Sequence, residues 1–366
     1  MLTIGIDAHH RLYAMCILDE AGAVVKEHTI RGGPAEVAAW LGALGKPMRV
    51  CYEASLGYGL LHDRLLAVGA RVKVAHPARL RAIWQSKRKS DRIDARALAT
   101  ILHLDRVPEV HVPSLDVRQW RGLIEHRTRL VDKRTRAKNS LRAIFREHGV
   151  VAPGGSALWS RKGLTWAAAA ELPSPLARLR RDQLLDEIAR LTQWIKGAEA
   201  ELAPLAEGHP GVQLLMTIPG VGPRTAEAVV AYVDDASRFG STRRVGSYFG
   251  LVPSLDESAG TKRYGHITRQ GPGTVRRLLV EAAWRARRLS PTVRAFFDRV
   301  RDGKKDRTAK AVVATGHYLV RVMVAMLKSG QPWRERVIHE GAGPVHQPEE
   351  GHGCADALPA ARSAGF

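Results

Sequence analysis

Three short apolar runs open this chain with nothing longer than a tight turn between them. Leu2 to Asp7 and Leu12 to Leu18 read as strands, and Asp19-Glu20-Ala21-Gly22 turns the chain into a third strand from Ala23 to Ile30. Strands joined this tightly pair antiparallel, because a parallel neighbour needs a crossover of about a dozen residues or more. From Pro34 the pattern changes. A helix from Pro34 to Leu44 is followed by a strand from Met48 to Tyr52, a helix from Gly59 to Val68 and a strand from Arg71 to Ala75. His76-Pro77 breaks that strand. After the basic linker Lys87-Arg88-Lys89, Ser90 opens a helix that runs to about Leu104. A meander followed by helix–strand alternation predicts a mixed α/β sheet with the first strand at its centre.

The same order decides where the acids fall. Asp7 ends the central strand and Glu53 ends the strand expected beside it, while Asp91 and Asp94 share one face at a helix start. Four carboxylates from two strands and one helix therefore converge at one edge of the sheet. A single carboxylate holds Mg²⁺ poorly, whereas a few of them together with substrate phosphate oxygens satisfy its octahedral preference. Each acid alone also has a plainer reading, as a turn residue or, for Asp91, as a helix N-cap. The set in this order favours the metal site.

Charge identifies the partner class. The formal net charge is +21, and an excess of that size repels itself unless a polyanion neutralises it, which makes nucleic acid the leading partner. An anionic membrane is the rival, but the chain has no apolar run of about 18 residues and no signal-peptide pattern. The expectation is a cytoplasmic protein. Cys16, Cys51 and Cys354 are too few and too far apart for a disulfide frame or a zinc site.

The basic residues are concentrated from Leu115 to His148, where a long helical pattern carries Arg118, Arg121, Arg127, Arg129, Lys133, Arg134, Arg136, Lys138, Arg142 and Arg146. Only Glu125 and Asp132 lie between them, and a merely solvated face would mix the signs. The pattern predicts a phosphate-contacting arm, with Arg127, Lys133, Arg134, Lys138 and Arg142 as its nucleic-acid contacts. A second helix, Leu184 to Leu205, is expected to fold back on it or on another subunit. Between the two, Ala152 to Pro175 reads as a loop or domain junction.

Further along, Leu214 to Ala226 contains Ile218-Pro219-Gly220-Val221-Gly222, a turn between two short helices in the manner of a helix-hairpin-helix. Gly220 and Gly222 would let the backbone approach a phosphate. Gly250-Leu251-Val252-Pro253 then stops a helix and releases an irregular loop with Ser254 and Ser258, followed by Lys262, Arg263 and Arg269. A hydroxyl among cations suits attack on a phosphodiester, although serine in loops more often bonds its own backbone. Two helices follow, Val275 to Arg288 and Lys304 to Leu327, with basic outer faces. The tail from Glu340 reads as disordered, and His346 and His352 in it as solvated.

Gly5-Ile6-Asp7, Tyr52-Glu53-Ala54 and Lys89-Ser90-Asp91-Arg92-Ile93-Asp94-Ala95 resemble the D-E-D-D signature of the insertion sequence 110 transposases, also called bridge recombinases. Ile218 to Gly222, Gly250 to Pro253, Ser258-Ala259-Gly260 and Gly265 to Gly271 resemble the carboxy-terminal transposase domain of the same family. The resemblance covers most of residues 1 to 330. It implies an α/β ribonuclease H-like, RuvC-like domain over residues 1–110 and a long basic helical coiled-coil region over 111–207. It further implies a mainly α transposase domain over 208–333, leaving 334–366 as a tail. By the same resemblance Asp7, Glu53, Asp91 and Asp94 hold Mg²⁺, with Mn²⁺ as a substitute, and Ser258 is the nucleophile. Donor and target DNA, a structured guide RNA and assembly into dimers and tetramers are the implied partners. The family often shows paired serines and then paired glycines at the nucleophile. Here Glu257 precedes Ser258 and Ala259 follows it, which keeps Ser254 as a second candidate.

Other classes remain to be weighed. A RuvC-like structure-selective endonuclease needs only the four carboxylates and a metal-activated water. A non-catalytic nucleic-acid-binding protein needs neither acids nor serine. An ATP-binding protein of the actin and sugar-kinase superfold would need a glycine-rich loop after Asp7, where this chain has His9-His10-Arg11.

Overall fold

The computed structural model describes residues 1–55, 57–83, 90–258 and 261–335. The linker Lys87-Arg88-Lys89, Ala259-Gly260, Cys354 and the tail histidines lie outside the described residues. The chain divides into two units, Met1–Leu202 and Ala203–Phe366.

The first unit opens with β1 (Leu2–Ala8), β2 (Leu12–Leu18), β3 (Val24–Arg31), α1 (Pro34–Gly42), β4 (Met48–Glu53), α2 (Tyr58–Ala67) and β5 (Arg71–Ala75). The strand order is β3-β2-β1-β4-β5. β1 pairs antiparallel with β2 and parallel with β4, β2 pairs antiparallel with β3, and β4 pairs parallel with β5. A three-strand meander flanked by two parallel strands is the ribonuclease H-like arrangement, and β1 is central as its apolar run requires.

Alternation along the strands decides what covers each face. Ile4, Ile6, Val50 and Tyr52 share one core with Val37 and Leu41 of α1 and Leu61 and Leu65 of α2. The opposite face carries small residues, Ala14 and Cys16, against Ala95 and Ala99 of the helix that covers it. Gly5 is what lets that helix approach. A Cβ at Gly5 would lie 2.1 Å from the Ala95 carbonyl oxygen and 2.3 Å from the Ala99 nitrogen, so no other residue fits without moving the helix.

His76-Pro77 does not simply end β5. Pro77 begins α3 (Pro77–Ile83), since a proline costs a helix nothing in its first turn. The covering helix, α4 (Asp91–His103), follows, and then α5 (Leu115–Glu147). The stretch expected as a loop contains a single helical turn, Ala157–Trp159, and α6 (Arg161–Ala169). Leu158 and Ala167 are buried there with Leu141 and Phe145 of α5, so apolar contact rather than local propensity orders this segment. α7 (Pro175–Glu207) starts earlier than its apolar spacing suggests and runs across the division between the units. It packs on α5 through Leu130, Leu191 and Ile195.

The second unit contains α8 (Pro210–Met216), α9 (Pro223–Val233), α10 (Arg244–Tyr248), β6 (Pro253–Ser258), β7 (Thr261–Ile267), α11 (Gly273–Leu289), α12 (Pro291–Arg301) and α13 (Thr308–Ser329). Val312, Leu319, Val320 and Met323 of α13 are buried in a helical core that α11 and α12 share. Among the described residues, Lys305–Ser329 alone is long and apolar enough to cross a membrane, and half of its most apolar window is buried in the protein. Two features depart from the sequence reading. α12 interrupts the segment between the two expected helices. Residues 253–258 and 261–267 pair as antiparallel strands in place of an irregular loop, with Ser258 paired to Thr261.

Candidate active site

The β1–β2 turn closes with the His9 amide donating to the Leu12 carbonyl. Asp7 and His9 are two apart on an extended chain and share the face that Gly5 presents to α4. By the same alternation Glu53 shares a face with Cys51, which packs against Leu98 and Leu102 of α4. The β1–β4 ladder runs to Ile6 opposite Tyr52, so Asp7 and Glu53 follow it on neighbouring strands.

α4 supplies the other two acids. Ser90 is its N-cap, its hydroxyl accepting from the Ile93 amide at 3.3 Å. The cap is therefore not Asp91, whose carboxylate instead faces the strand. Asp91 and Asp94 in the first turn also suit the positive end of the helix dipole.

One donor atom each from Asp7, His9 and Asp91 lie within 4.8 Å of one another, the cluster of this kind found among the described residues. The His9 Nε2 is 3.2 Å from Asp7 Oδ2 and 3.6 Å from Asp91 Oδ1. Asp7 is the most enclosed of the three, its side chain 16% exposed against 46% for Asp91 and 55% for His9. Burial pushes the Asp7 carboxyl above its ordinary range; His9 pulls it back, and Asp91 and Asp94 push it up again. Asp94 thus acts on Asp7 through its charge while lying outside the tight cluster, and Glu53 lies outside it as well.

These residues fit a divalent cation. A carboxylate pushed up by burial and, less, by two acidic neighbours gains most from a cation between them, and carboxylate oxygens are the donors that hard cations take. His9 escaped the sequence reading, which used it only to exclude a phosphate loop. Its position two residues after Asp7 was the available signal.

The cations expected to contact nucleic acid fall into two groups. Arg127 donates to Glu199 of α7 from Nε at 2.9 Å and from Nη2 at 2.5 Å, and Arg134 reaches Thr192 at 3.3 Å. Lys138 and Arg142 stack over the Trp159 ring at 4.7 and 5.0 Å, and Arg142 also donates to the Gly155 carbonyl. Burial, with Arg134 and Arg142 nearby, pulls the Lys138 ammonium below its ordinary range. These four side chains are engaged inside the unit. What α5 exposes is Lys133 together with Arg129, Arg136 and Arg146.

In the second unit Gly222 precedes α9 as its N-cap with open space where a Cβ would stand. Gly220 has a different role. Its φ of +89° and a would-be Cβ 2.6 Å from the Ala286 nitrogen show a turn pressed against α11. Ser254 is exposed on β6, Arg263 is exposed on β7, Lys262 lies on that strand, and Arg269 is exposed after it with a φ of +54°.

Comparison with known proteins agrees with both units. Residues 212–298 match the model of the "Transposase IS116/IS110/IS902 family" and residues 4–149 match a transposase model of the DEDD type of insertion sequence 110. The transposase for insertion sequence element IS1111A of Coxiella burnetii is 27% identical over 281 residues, covering 76% of this chain and 76% of that protein. The transposase for insertion sequence element IS1328 of Yersinia enterocolitica is 30% identical over 237 residues, covering 65% of this chain and 70% of that protein. Among solved structures, Thermus thermophilus RuvC matches 30% of this chain over its full length at 15% identity, with a TM-score of 0.22. The ribonuclease H-like assignment stands on the strand order of the sheet, not on that superposition.

Proposed function

The chain belongs to the IS116/IS110/IS902 family of transposases, enzymes that act on DNA, and from that premise we propose that it cuts and rejoins DNA strands with an acidic metal site and a serine nucleophile. The observation that carries the reading is the convergence of Asp7, His9 and Asp91 at the end of the central strand. Asp7, Glu53, Asp91 and Asp94 would hold Mg²⁺, with Mn²⁺ able to replace it, and the ion would supply charge stabilisation to the developing transition state. Asp7, fixed by β1, and Asp91, fixed by α4, orient the site, and His9 takes its place beside them.

Ser258 attacks the phosphodiester. A bond forms between its Oγ and phosphorus while the bond from phosphorus to a deoxyribose oxygen breaks. The serine proton is released and the departing oxygen takes one up. The number of phosphodiester bonds is conserved, so a deoxyribose hydroxyl of another strand reverses the step and releases the serine. Ser258 lies inside the segment that matches the family model, on a strand pair whose second strand carries Lys262 and Arg263. Cations there offset charge developing on the phosphoryl oxygens.

Arg129, Lys133 and Arg136 on the exposed face of α5 hold nucleic acid by its backbone, and a structured guide RNA supplies sequence choice by base pairing. α5 and α7 contribute a coiled coil to assembly, as dimers and as tetramers on DNA. The protein works in the cytoplasm on nucleoid DNA. One observation favours a plainer nuclease acting by an activated water: Asp7, His9 and Asp91, the cluster found among the described residues, all belong to the first unit.

The test incubates the protein with labelled junction DNA, RNA and Mg²⁺, denatures it, and asks whether label stays on the protein. Retained label that Ser258→Ala and Asp7→Asn both abolish is the expected result. Cleavage without retained label, lost only in Asp7→Asn, removes the nucleophile and leaves the nuclease.

A further inference from the structure

The second unit carries a group of guanidinium side chains that the proposed chemistry does not use. The end of α11 and the body of α12 enclose a notch of about 230 Å³ lined by Arg287, Arg288, Arg294, Phe297 and Asp298. Arg294 reaches back from α12 to the last turn of α11. Its Nε donates to the Arg287 carbonyl at 3.2 Å and its Nη2 to the Arg288 carbonyl at 3.0 Å. These are carbonyls that a helix end leaves without intrahelical partners, and the negative end of the helix favours the cation there. Nη1 takes no part in either bond.

Arg287 is held differently. Its guanidinium carbon lies 4.5 Å from the Trp284 ring centre and 4.6 Å from that of Phe297, and its Nε is buried with no hydrogen-bond partner. Asp298 is the one acid of the lining, and it is shared with Arg301 at 3.9 Å. Three guanidinium groups around so small a space repel one another, and one shared carboxylate does not balance them. A planar fork fixed on a ring or on helix carbonyls has already lost the side-chain freedom that binding would remove.

We propose that this notch seats a backbone phosphate of nucleic acid. Guanidinium groups recognise phosphate oxygens through paired N–H donors, and the notch is large enough for one phosphate group. Trp284 is not among the residues lining the notch and Phe297 is 1% exposed, so the notch itself offers no open ring face to stack a base. That argues for a phosphate along a strand and against a free nucleotide. The proposal rests on the reading that the protein acts on DNA.

The experiment measures duplex DNA affinity by fluorescence anisotropy over a series of salt concentrations. It compares wild-type protein with Arg288→Gln and with the double variant Arg288→Gln/Arg294→Gln, each checked for an unchanged melting midpoint. The slope of log K against log salt is about 0.9 per phosphate neutralised, and the notch seats one. A fall of up to about 0.9 is therefore expected in the single variant and about 0.9 in the double variant, with the larger loss of affinity in the double. Because Arg294 also caps α11, the exposed single variant carries the test alone if the double variant melts early. An unchanged slope overturns the proposal, as does a wild-type protein without duplex affinity. Saturable binding of inorganic phosphate that the single variant loses makes the notch a small-anion site and also overturns it. Strand transfer does not enter this readout: steep, variant-sensitive binding by a protein that never cuts DNA refutes the proposed chemistry and leaves the notch standing.

Discussion

The acids around β1 and the cations of α5 met opposite fates on folding. Asp7 lies far along the chain from Asp91 and Asp94 and becomes their electrostatic neighbour, because Gly5 lets α4 lie directly on the central strand. The cations of α5 are close in the chain and are divided, with Arg127, Arg134, Lys138 and Arg142 turned to internal partners and Arg129, Lys133 and Arg136 turned to solvent. Charge density along a sequence therefore measures a site poorly in both directions. A site is made where backbone topology overrides repulsion, and lost where neighbours satisfy the charges first.

The strongest test of the first half of that contrast is Asp7→Asn in the full-length protein. DNA cleavage is expected to fall by about 10²–10³-fold, the scale for losing one preorganised electrostatic partner of a transition state. Stability should move the other way. Burial, opposed by His9 and reinforced by Asp91 and Asp94, holds the folded-state Asp7 carboxyl above its unfolded value of about 3.9. A carboxyl raised in this way costs nothing below the unfolded value and destabilises increasingly as pH rises through the interval up to the folded value. In chelator, the melting midpoint of Asp7→Asn should therefore match wild type near that lower limit and exceed it at neutral pH. A variant less stable at neutral pH would show that the carboxylate is a structural bond and not a strained ligand.

The second half is sharpened by changing the exposed face of α5. Arg129→Gln/Lys133→Gln/Arg136→Gln should lower the salt slope of duplex binding by roughly 0.9 for each cation, with stability unchanged within about 0.5 kcal/mol. An intact slope would mean that α5 offers its charge to nothing. The smallest effect belongs to the inward-facing group. Arg127→Ala, measured by urea unfolding, should cost about 0.5–1 kcal/mol, a figure discounted for solvent screening because the Glu199 side chain is 37% exposed. Its salt slope should stay at the wild-type value, and a fall of a full unit would return Arg127 to the nucleic-acid face.

Much of the sheet was legible because strands and tight turns leave a periodic trace. The meander, the central place of β1 and the strand-end positions of Asp7 and Glu53 follow from alternation alone. The strand pair β6–β7 left no such trace: Ser254, Leu255, Asp256 and Glu257 are all exposed, so burial imposes no alternation along the sequence. α6 was hidden for the opposite reason. Its Gly163 and Trp166 look like loop residues until Ala167 is seen buried in one cluster with Phe145. His9 was visible as a residue but not as a neighbour of Asp91, which lies 82 residues further along the chain.

The sequence by itself determined the order of strands and helices through β5, the acids at the strand ends and the excess of positive charge. Those properties live in the covalent spacing of side chains, which period-2 and period-3.6 backbones convert directly into faces. The tertiary structure alone decided which carboxylates approach within 4.8 Å, that His9 joins them, and which arginines keep their charge for a partner. Such choices depend on the rotation of one element against another, and that rotation is set by close packing, as where Gly5 admits α4 and Gly220 meets α11.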